Sequence, residues 1–97
     1  MKKVIKAQLK FPISCMEILK NKKEKLINDL DDWYGVEFYD FYEGEYDNTN
    51  ILGVDLVLYT DTSKEVNETY SSVKKYLKEF FGKKPEQILM FKTNINV

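Results

Sequence analysis

Residues 51–66 read ILGVDLVLYTDTSKEV, and this stretch joins a strand pattern directly to a helix start. Apolar residues occupy every second position of its first part, namely Leu52, Val54, Leu56 and Leu58. This period of two is typical of a strand with one buried face. Thr62 and Glu65 follow at the spacing of a capping box, which marks a helix N-terminus. The stretch therefore predicts a β-strand that leads into an α-helix.

The residues downstream continue this helix and then return to a strand. Apolar side chains recur at spacings of four and three, at Val66, Tyr70, Val73, Leu77 and Phe80. Gly82 and Pro85 indicate where the helix ends. The segment QILMFKTNINV, residues 87–97, predicts a final strand. We expect one of its faces to point to the core, with Leu89, Phe91, Thr93, Ile95 and Val97, and the other to point outward, with Met90, Lys92, Asn94 and Asn96.

The residues upstream predict an earlier strand and helix. Residues 4–11 alternate, with Ile5, Ala7, Leu9 and Phe11 on the inner face and Lys6, Gln8 and Lys10 on the outer face. Pro12 ends this strand. Ser14 and Glu17 have the spacing of a second capping box. An apolar stripe then predicts a helix to about residue 32, and the lysine-rich interruption at residues 20–25 leaves a straight helix and a bent helix both open.

Between these halves lies a strand with two competing registers. The segment VEFYDFYE, residues 36–43, is rich in aromatic and β-branched residues, which favour strands. Its mixed faces are typical of an edge strand protected by charge. We assign Glu37, Tyr39, Phe41 and Glu43 to the outer face, although a slip of one residue would exchange the faces. Residues 43–50, EGEYDNTN, are expected to form a hairpin loop.

The order strand, helix, strand, strand, helix, strand predicts an α+β, ferredoxin-like βαββαβ sandwich. We expect one domain, residues 1–97, with a four-stranded antiparallel sheet in the order 4-1-3-2. Both helices would cover the same face of that sheet. The other face would be basic and polar on strands 1 and 4, and acidic and aromatic on strands 3 and 2.

Composition narrows the possible functions. The chain has no histidine, one cysteine (Cys15) and no arginine among its basic residues. It therefore has no internal disulfide, and it lacks the Cys and His ligands of zinc sites and a histidine base for catalysis. No apolar run reaches the length of a membrane span. We predict a cytoplasmic, non-enzymatic protein without metal or cofactor, in which Cys15 fills a core position.

Charge is strongly segregated along the chain. Residues 26–63 hold ten acids and no base, although the net charge of the whole chain is only -1. The densest part, DDWYGVEFYDFYEGEYDNTN at residues 31–50, contains seven acids and seven aromatic residues. Clustered carboxylates can imitate the phosphates of nucleic acid, and tyrosines are enriched at protein interfaces. The segment is therefore a candidate binding surface.

The predicted function is a small inhibitor or binding protein that presents this acidic, tyrosine-rich edge to a basic protein. That partner could be a nucleic-acid-binding protein whose groove is blocked. In size and charge pattern the chain resembles the small acidic inhibitors carried by phages and mobile elements. The predicted contact residues are Glu37, Tyr39, Asp40, Tyr42, Glu43, Glu45, Tyr46 and Asp47.

Other interpretations remain open at this point. The acidic stretch could be only a solvated edge that keeps the protein soluble. A nucleic-acid-binding module would use Lys6, Lys10, Lys92 and the helix lysines, but Asp55 opposes phosphate and the strand-3 motif of RNA-recognition modules is missing. A homo-oligomer would join the acidic strand of one copy to the basic half of another. Oxygen ligands at residues 47–50 only weakly match a calcium loop.

Overall fold

The computed structural model of the chain describes residues 2–95 and confirms the ferredoxin-like fold. Its elements are β1 (Lys2–Pro12), α1 (Cys15–Asp31), β2 (Val36–Tyr46), β3 (Thr49–Thr60), α2 (Ser63–Phe81) and β4 (Gln87–Ile95). The strands form one antiparallel sheet in the order β2-β3-β1-β4, which is the predicted order 4-1-3-2 read from the other edge. The face predictions for Asn96 and Val97, and for the side chains of Asn94 and Ile95, lie outside the described part.

The hydrophobic core lies between one face of the sheet and the two helices. The two central strands supply alternate residues to it: Ile5, Ala7, Leu9 and Phe11 from β1, and Leu52, Val54, Leu56 and Leu58 from β3. From the helices, Leu26 and Leu30 of α1 and Val73 and Leu77 of α2 are completely buried. Both predicted central-strand patterns are therefore confirmed. We call the other side of the sheet, which no helix covers, the open face.

The two helices differ in how they begin. The Thr62 side chain accepts a hydrogen bond of 3.1 Å from the backbone N–H of Glu65 at the start of α2. That helix ends at Gly82, whose φ of 66° is the left-handed conformation that favours glycine. The capping prediction for α1 was wrong, because the Ser14 side chain makes no cap hydrogen bond. Non-helical angles at Lys22 (φ -128°, ψ 20°) bend α1, as its lysine-rich interruption allowed.

The hairpin between β2 and β3 is much tighter than predicted. The strands stay paired as far as Tyr46 and Thr49, so only Asp47 and Asn48 form the turn. Both have positive φ, 53° and 60°, as a two-residue type I′ turn requires. Aspartate and asparagine tolerate this conformation better than other side chains with a Cβ. The eight-residue loop predicted for residues 43–50 was therefore wrong.

A β-bulge sets the faces of β2. Val36 pairs with Leu58 and Phe38 pairs with Val57, so Glu37 is an extra residue in the strand. Beyond it, Tyr39 pairs with Leu56 on the helix-covered side. The predicted register, with Tyr39 and Phe41 facing outward, was therefore wrong.

The faces of β4 are also opposite to the prediction. Leu89 pairs with Gln8, and Phe91 pairs with Lys6, so both apolar residues lie on the open face. Met90 and Lys92, expected outside, lie on the helix-covered side because they pair with Ala7 and Ile5. The run Ile88 to Phe91 has no alternation of polar and apolar residues, so periodicity could not fix its register.

Candidate protein-binding surface

The eight predicted contact residues follow one edge strand but do not share one face. Pairing with β3 places Asp40, Tyr42 and Tyr46 on the open face. It places Tyr39, Glu43 and Glu45 on the helix-covered side. Glu37 lies in the bulge and Asp47 in the turn. Because β2 is an edge of the sheet, both sets meet along its outer border.

The three tyrosines of this set are tied into the fold. Tyr39 donates a hydrogen bond to the Asp31 carboxylate and packs against the core, beside Phe41. This hydrogen bond raises the pKa of Tyr39. The Lys10 ammonium lies 4.9 Å from the centre of the Tyr46 ring, a cation–π contact. These side chains therefore have fixed positions in the folded protein and also form part of the candidate surface.

Tyr42 is held by a hydrogen bond to the neighbouring strand. Its hydroxyl donates a 2.9 Å hydrogen bond to the Asp55 carboxylate on the neighbouring strand. Burial, together with that hydrogen bond and the charge of Asp55, raises the pKa of Tyr42 to about 12. The tyrosine is therefore neutral at physiological pH, and its hydroxyl remains the donor of the hydrogen bond to Asp55.

The carboxylates of the strand are exposed. We call Glu37, Asp40, Glu43, Glu45 and Asp47 together the acidic edge, and each of these residues is exposed. Within residues 2–95, no lysine lies within ion-pair distance of any of the five. Only Asp40 has a described side-chain hydrogen bond, which it accepts from the backbone N–H of Phe41 at 2.9 Å. Their charge is thus left to solvent or to a partner.

A shallow pocket of about 310 Å³ lies beside the start of β2, and sequence reasoning missed it. It is lined by Trp33, Tyr34, Glu65, Glu68, Thr69 and Ser72. One oxygen of the Glu65 carboxylate, Oε2, is shielded from solvent and has no hydrogen-bond partner. The residues come from the α1–β2 loop and from α2, about 30 residues apart in sequence, so no local motif could have revealed the pocket.

The strand lysines do not form one basic surface. Lys6 and Lys10 lie on the open face as predicted, whereas Lys92 lies on the helix-covered side. The structure adds apolar residues to the open face that were predicted for the core or left unassigned. Their exposed fractions are 52% for Phe38, 38% for Leu89 and 63% for Phe91.

The remaining candidate features have simple structural positions. Cys15 is buried in the core, as predicted, and burial raises the pKa of its thiol. Among residues 2–95, no group of three His, Cys, Asp or Glu residues is placed to hold a metal ion. None of the helices in the described range is long and apolar enough to cross a membrane.

Comparison with known proteins yields a fold likeness. No protein-family model matches the chain, and no curated protein matches it. The structure is similar to that of the de novo designed protein Foldit4, with a TM-score of 0.56 and 9% sequence identity. The match covers 99% of this chain and 100% of the designed one. At that identity the likeness shows the fold alone, and function has to be argued from the surface.

Proposed function

We propose that this protein is a non-enzymatic binding protein that presents the acidic edge to a basic protein partner. The observation that carries the proposal is the set of five exposed carboxylates on one edge strand, none of them paired with a lysine within residues 2–95. Surface charge of one sign attracts a partner of opposite charge and speeds its association. A basic groove that normally holds nucleic acid is the partner surface that such carboxylates would block.

The rigid tyrosines beside the acids support this proposal. A binding surface loses less entropy when its side chains are already fixed before the partner arrives. Tyr42 is fixed by Asp55 and Tyr46 is in contact with Lys10. They flank the exposed carboxylates and supply apolar contact area, which charges alone lack.

The pocket beside Trp33 extends the acidic surface beyond β2. A lysine or arginine side chain from the partner would fit this pocket, whose lining includes Glu65, Glu68 and Trp33. Carboxylates favour a charged donor, and an aromatic ring face also attracts cations. Trp33 is the single tryptophan of the chain, so its fluorescence reports on this contact.

Direct nucleic-acid binding has less support. The lysines proposed for it are divided between the two sides of the sheet. Asp40 and Asp55 pair with each other on the open face, where their charge would repel a phosphate backbone. Exposed Phe38 and Phe91 could stack on bases, but they lie on opposite edge strands of the sheet.

Charge reversal on the acidic edge tests the proposal. The triple variant Glu43→Lys, Glu45→Lys, Asp47→Lys changes exposed residues. Because Asp47 lies in the turn at positive φ, circular dichroism first checks that this variant is folded as stably as its control. A matched control reverses three exposed helix acids: Glu17→Lys, Glu24→Lys and Glu79→Lys. Both variants have the same net charge, so a difference between them reports where the charge lies.

The measurement is capture of partners from a nuclease-treated lysate of the source cells, followed by titration of the captured protein. We expect the edge variant to bind that protein at least about tenfold more weakly than the helix control does. Binding should also quench or shift Trp33 fluorescence. Equal affinities for the two variants would show that the acidic edge is only a solvated edge. Loss of the captured material after nuclease treatment would favour nucleic-acid binding instead.

A further inference from the structure

The open face carries an exposed aromatic row that the acidic edge does not use. Pairing across all four strands places Phe38, Val57, Lys6 and Phe91 side by side. The two phenylalanines stand on the outer strands and are more than half exposed. Large exposed aromatics at both ends of one row indicate a surface that another molecule covers.

Charges on this face are also divided between its two halves. Asp40 of β2 and Asp55 of β3 form the acidic half, and they pair in the row next to the aromatic row. Lys6 and Lys10 of β1 form the basic half. Asp55 pairs with Gln8 of β1, and Lys6 and Lys10 are the next open-face residues of β1 on either side of Gln8. A face divided in this way is complementary to itself.

We propose that the occupant of the open face is a second copy of this chain, related by a two-fold axis parallel to the strands. An axis between β3 and β1 places β2 of one copy over β4 of the other, and β3 over β1. Each Phe38 then meets the other copy's Phe91, and each Asp55 comes within reach of the other copy's Lys6 and Lys10. Every contact occurs twice, as a two-fold interface requires.

Charge selects this arrangement over its alternative. A two-fold axis across the strands would place β2 over β2 and β3 over β3. The acidic half of one copy would then face the acidic half of the other, and the basic halves would face each other, and like charges at a desolvated interface are strongly unfavourable. Of these two axes, only the one parallel to the strands places the acidic half of one copy over the basic half of the other.

The size of the face indicates a reversible dimer. Four strands about 4.8 Å apart and a β4 strand rising about 3.3 Å per residue give a face roughly 19 Å by 30 Å. Its projected area, roughly 570 Å², is somewhat below the ~800 Å² per partner of a standard interface. We therefore expect an association that changes with protein concentration in the micromolar range.

Dimerisation and partner binding would share Asp40, Tyr42 and Tyr46 on the open face, but three acids of the acidic edge would serve partner binding alone. Glu43 and Glu45 lie on the helix-covered side and Asp47 lies in the turn, so all three stay outside the dimer contact. The dimer proposal does not rest on the proposed function. A variant of these three acids that loses its partner should keep its oligomeric state.

Sedimentation equilibrium from about 5 to about 500 µM tests the dimer first. We expect the wild-type chain to shift from monomer to dimer across this range. A wild-type chain that stays monomeric at every concentration would overturn the proposal. The variant Phe91→Ser should weaken association at least about tenfold, whereas the exposed helix variant Lys23→Glu should leave it unchanged.

Mixing two charge variants tests the orientation. Lys6→Glu and Asp55→Lys should each be monomeric alone, because each creates like-charge contacts across the interface. An equimolar mixture of the two should dimerise. In the mixed dimer, Asp55 of the first variant meets Lys6 of the second, and the two substituted residues, which carry opposite charges, meet each other. Circular dichroism confirms that both variants are folded. If the mixture stays monomeric while wild type dimerises, the proposed axis is wrong.

Discussion

The ring of Tyr42 fills the space that a side chain at position 53 would need, so Gly53 is the residue that lets this ring lie on the open face. A Cβ built on Gly53 would lie less than 3.0 Å from the ring atoms and the hydroxyl oxygen. Among the described glycines, positive φ is confined to Gly35 and Gly82. Position 53 therefore requires glycine because of its neighbour, not because of its backbone conformation.

Gly53→Ala should destabilise the protein by about 1–3 kcal/mol, the usual effect of overpacking. The added methyl group would push the Tyr42 ring away from Asp55 and break their hydrogen bond. Urea denaturation measures the free energy of unfolding. Gly44→Ala is the control, since its Cβ would lie 3.3 Å from Ile51 and the neighbours would need to move much less.

A double-mutant cycle separates this clash from other effects of the methyl group. In a Tyr42→Ala background the space above Gly53 is empty, so Gly53→Ala should become neutral or slightly stabilising. An equal loss of stability in both backgrounds would mean that the ring is not the reason for the glycine.

The Tyr42–Asp55 hydrogen bond should make stability depend on alkaline pH. The pKa of Tyr42 is raised in the folded state from 10.0 to about 12. A raised pKa stabilises the fold fully below pH 10, and this contribution is lost as the pH rises through about 12. Between pH 9 and 11.5, wild type should lose roughly 2 kcal/mol more stability than Tyr42→Phe, which keeps the ring but has no titrating hydroxyl.

Thermal unfolding monitored by circular dichroism at several pH values provides the test. Both proteins carry the same other tyrosines and lysines, so their common alkaline losses cancel in the difference. If stability falls with pH in parallel for the two proteins, folding does not raise the pKa of Tyr42.

The two helix starts should respond differently to the same kind of substitution. Thr62→Ala removes the acceptor of the Glu65 N–H and should cost about 1 kcal/mol of stability. Ser14→Ala removes no cap hydrogen bond and should change stability by less than about 0.5 kcal/mol. Guanidinium denaturation of both variants gives the comparison. A larger loss for Ser14→Ala would contradict the cap geometry of the structure.

The segments that sequence predicted well have signals that agree with one another. In α2, the capping pair, the four-and-three spacing and the final glycine all indicate the same helix. In β1 and β3, an unbroken series of apolar residues at every second position decides the face that packs against the helices. With two helices and two central strands fixed in order, few arrangements other than the ferredoxin-like sheet remain.

Residue alternation predicted the faces of both edge strands wrongly, for different physical reasons. In β2, both registers present aromatic and acidic residues, and the bulge at Glu37 changes the alternation without any glycine or proline to mark it. In β4, four apolar residues in succession carry no period at all. Edge strands are less buried than central ones, so burial imposes a weaker pattern on their sequences.

The sequence predicted which residues form the candidate surface, but not how their side chains are arranged. Exposure of the five acids follows from their charge, and the structure shows it. The separate roles of Tyr39, Tyr42 and Tyr46 depend on partners eight to 36 residues away in sequence: Asp31, Asp55 and Lys10. Such contacts form only when the sheet is assembled, so no local pattern could show them.

The bulge in β2 has a consequence for how this chain can vary. Glu37 is exposed and its side chain makes no described contact, so many residue types should be acceptable there. Deleting the position would leave Val36 and Phe38 adjacent, opposite the adjacent residues Leu58 and Val57 of β3. The ladder would then be regular, and every residue from Phe38 to Tyr46 would keep its partner and its face. At Glu37 the fold should therefore accept a change in length as well as a change in identity, whereas a deletion within residues 38–46 would move the residues on one side of it to the opposite face.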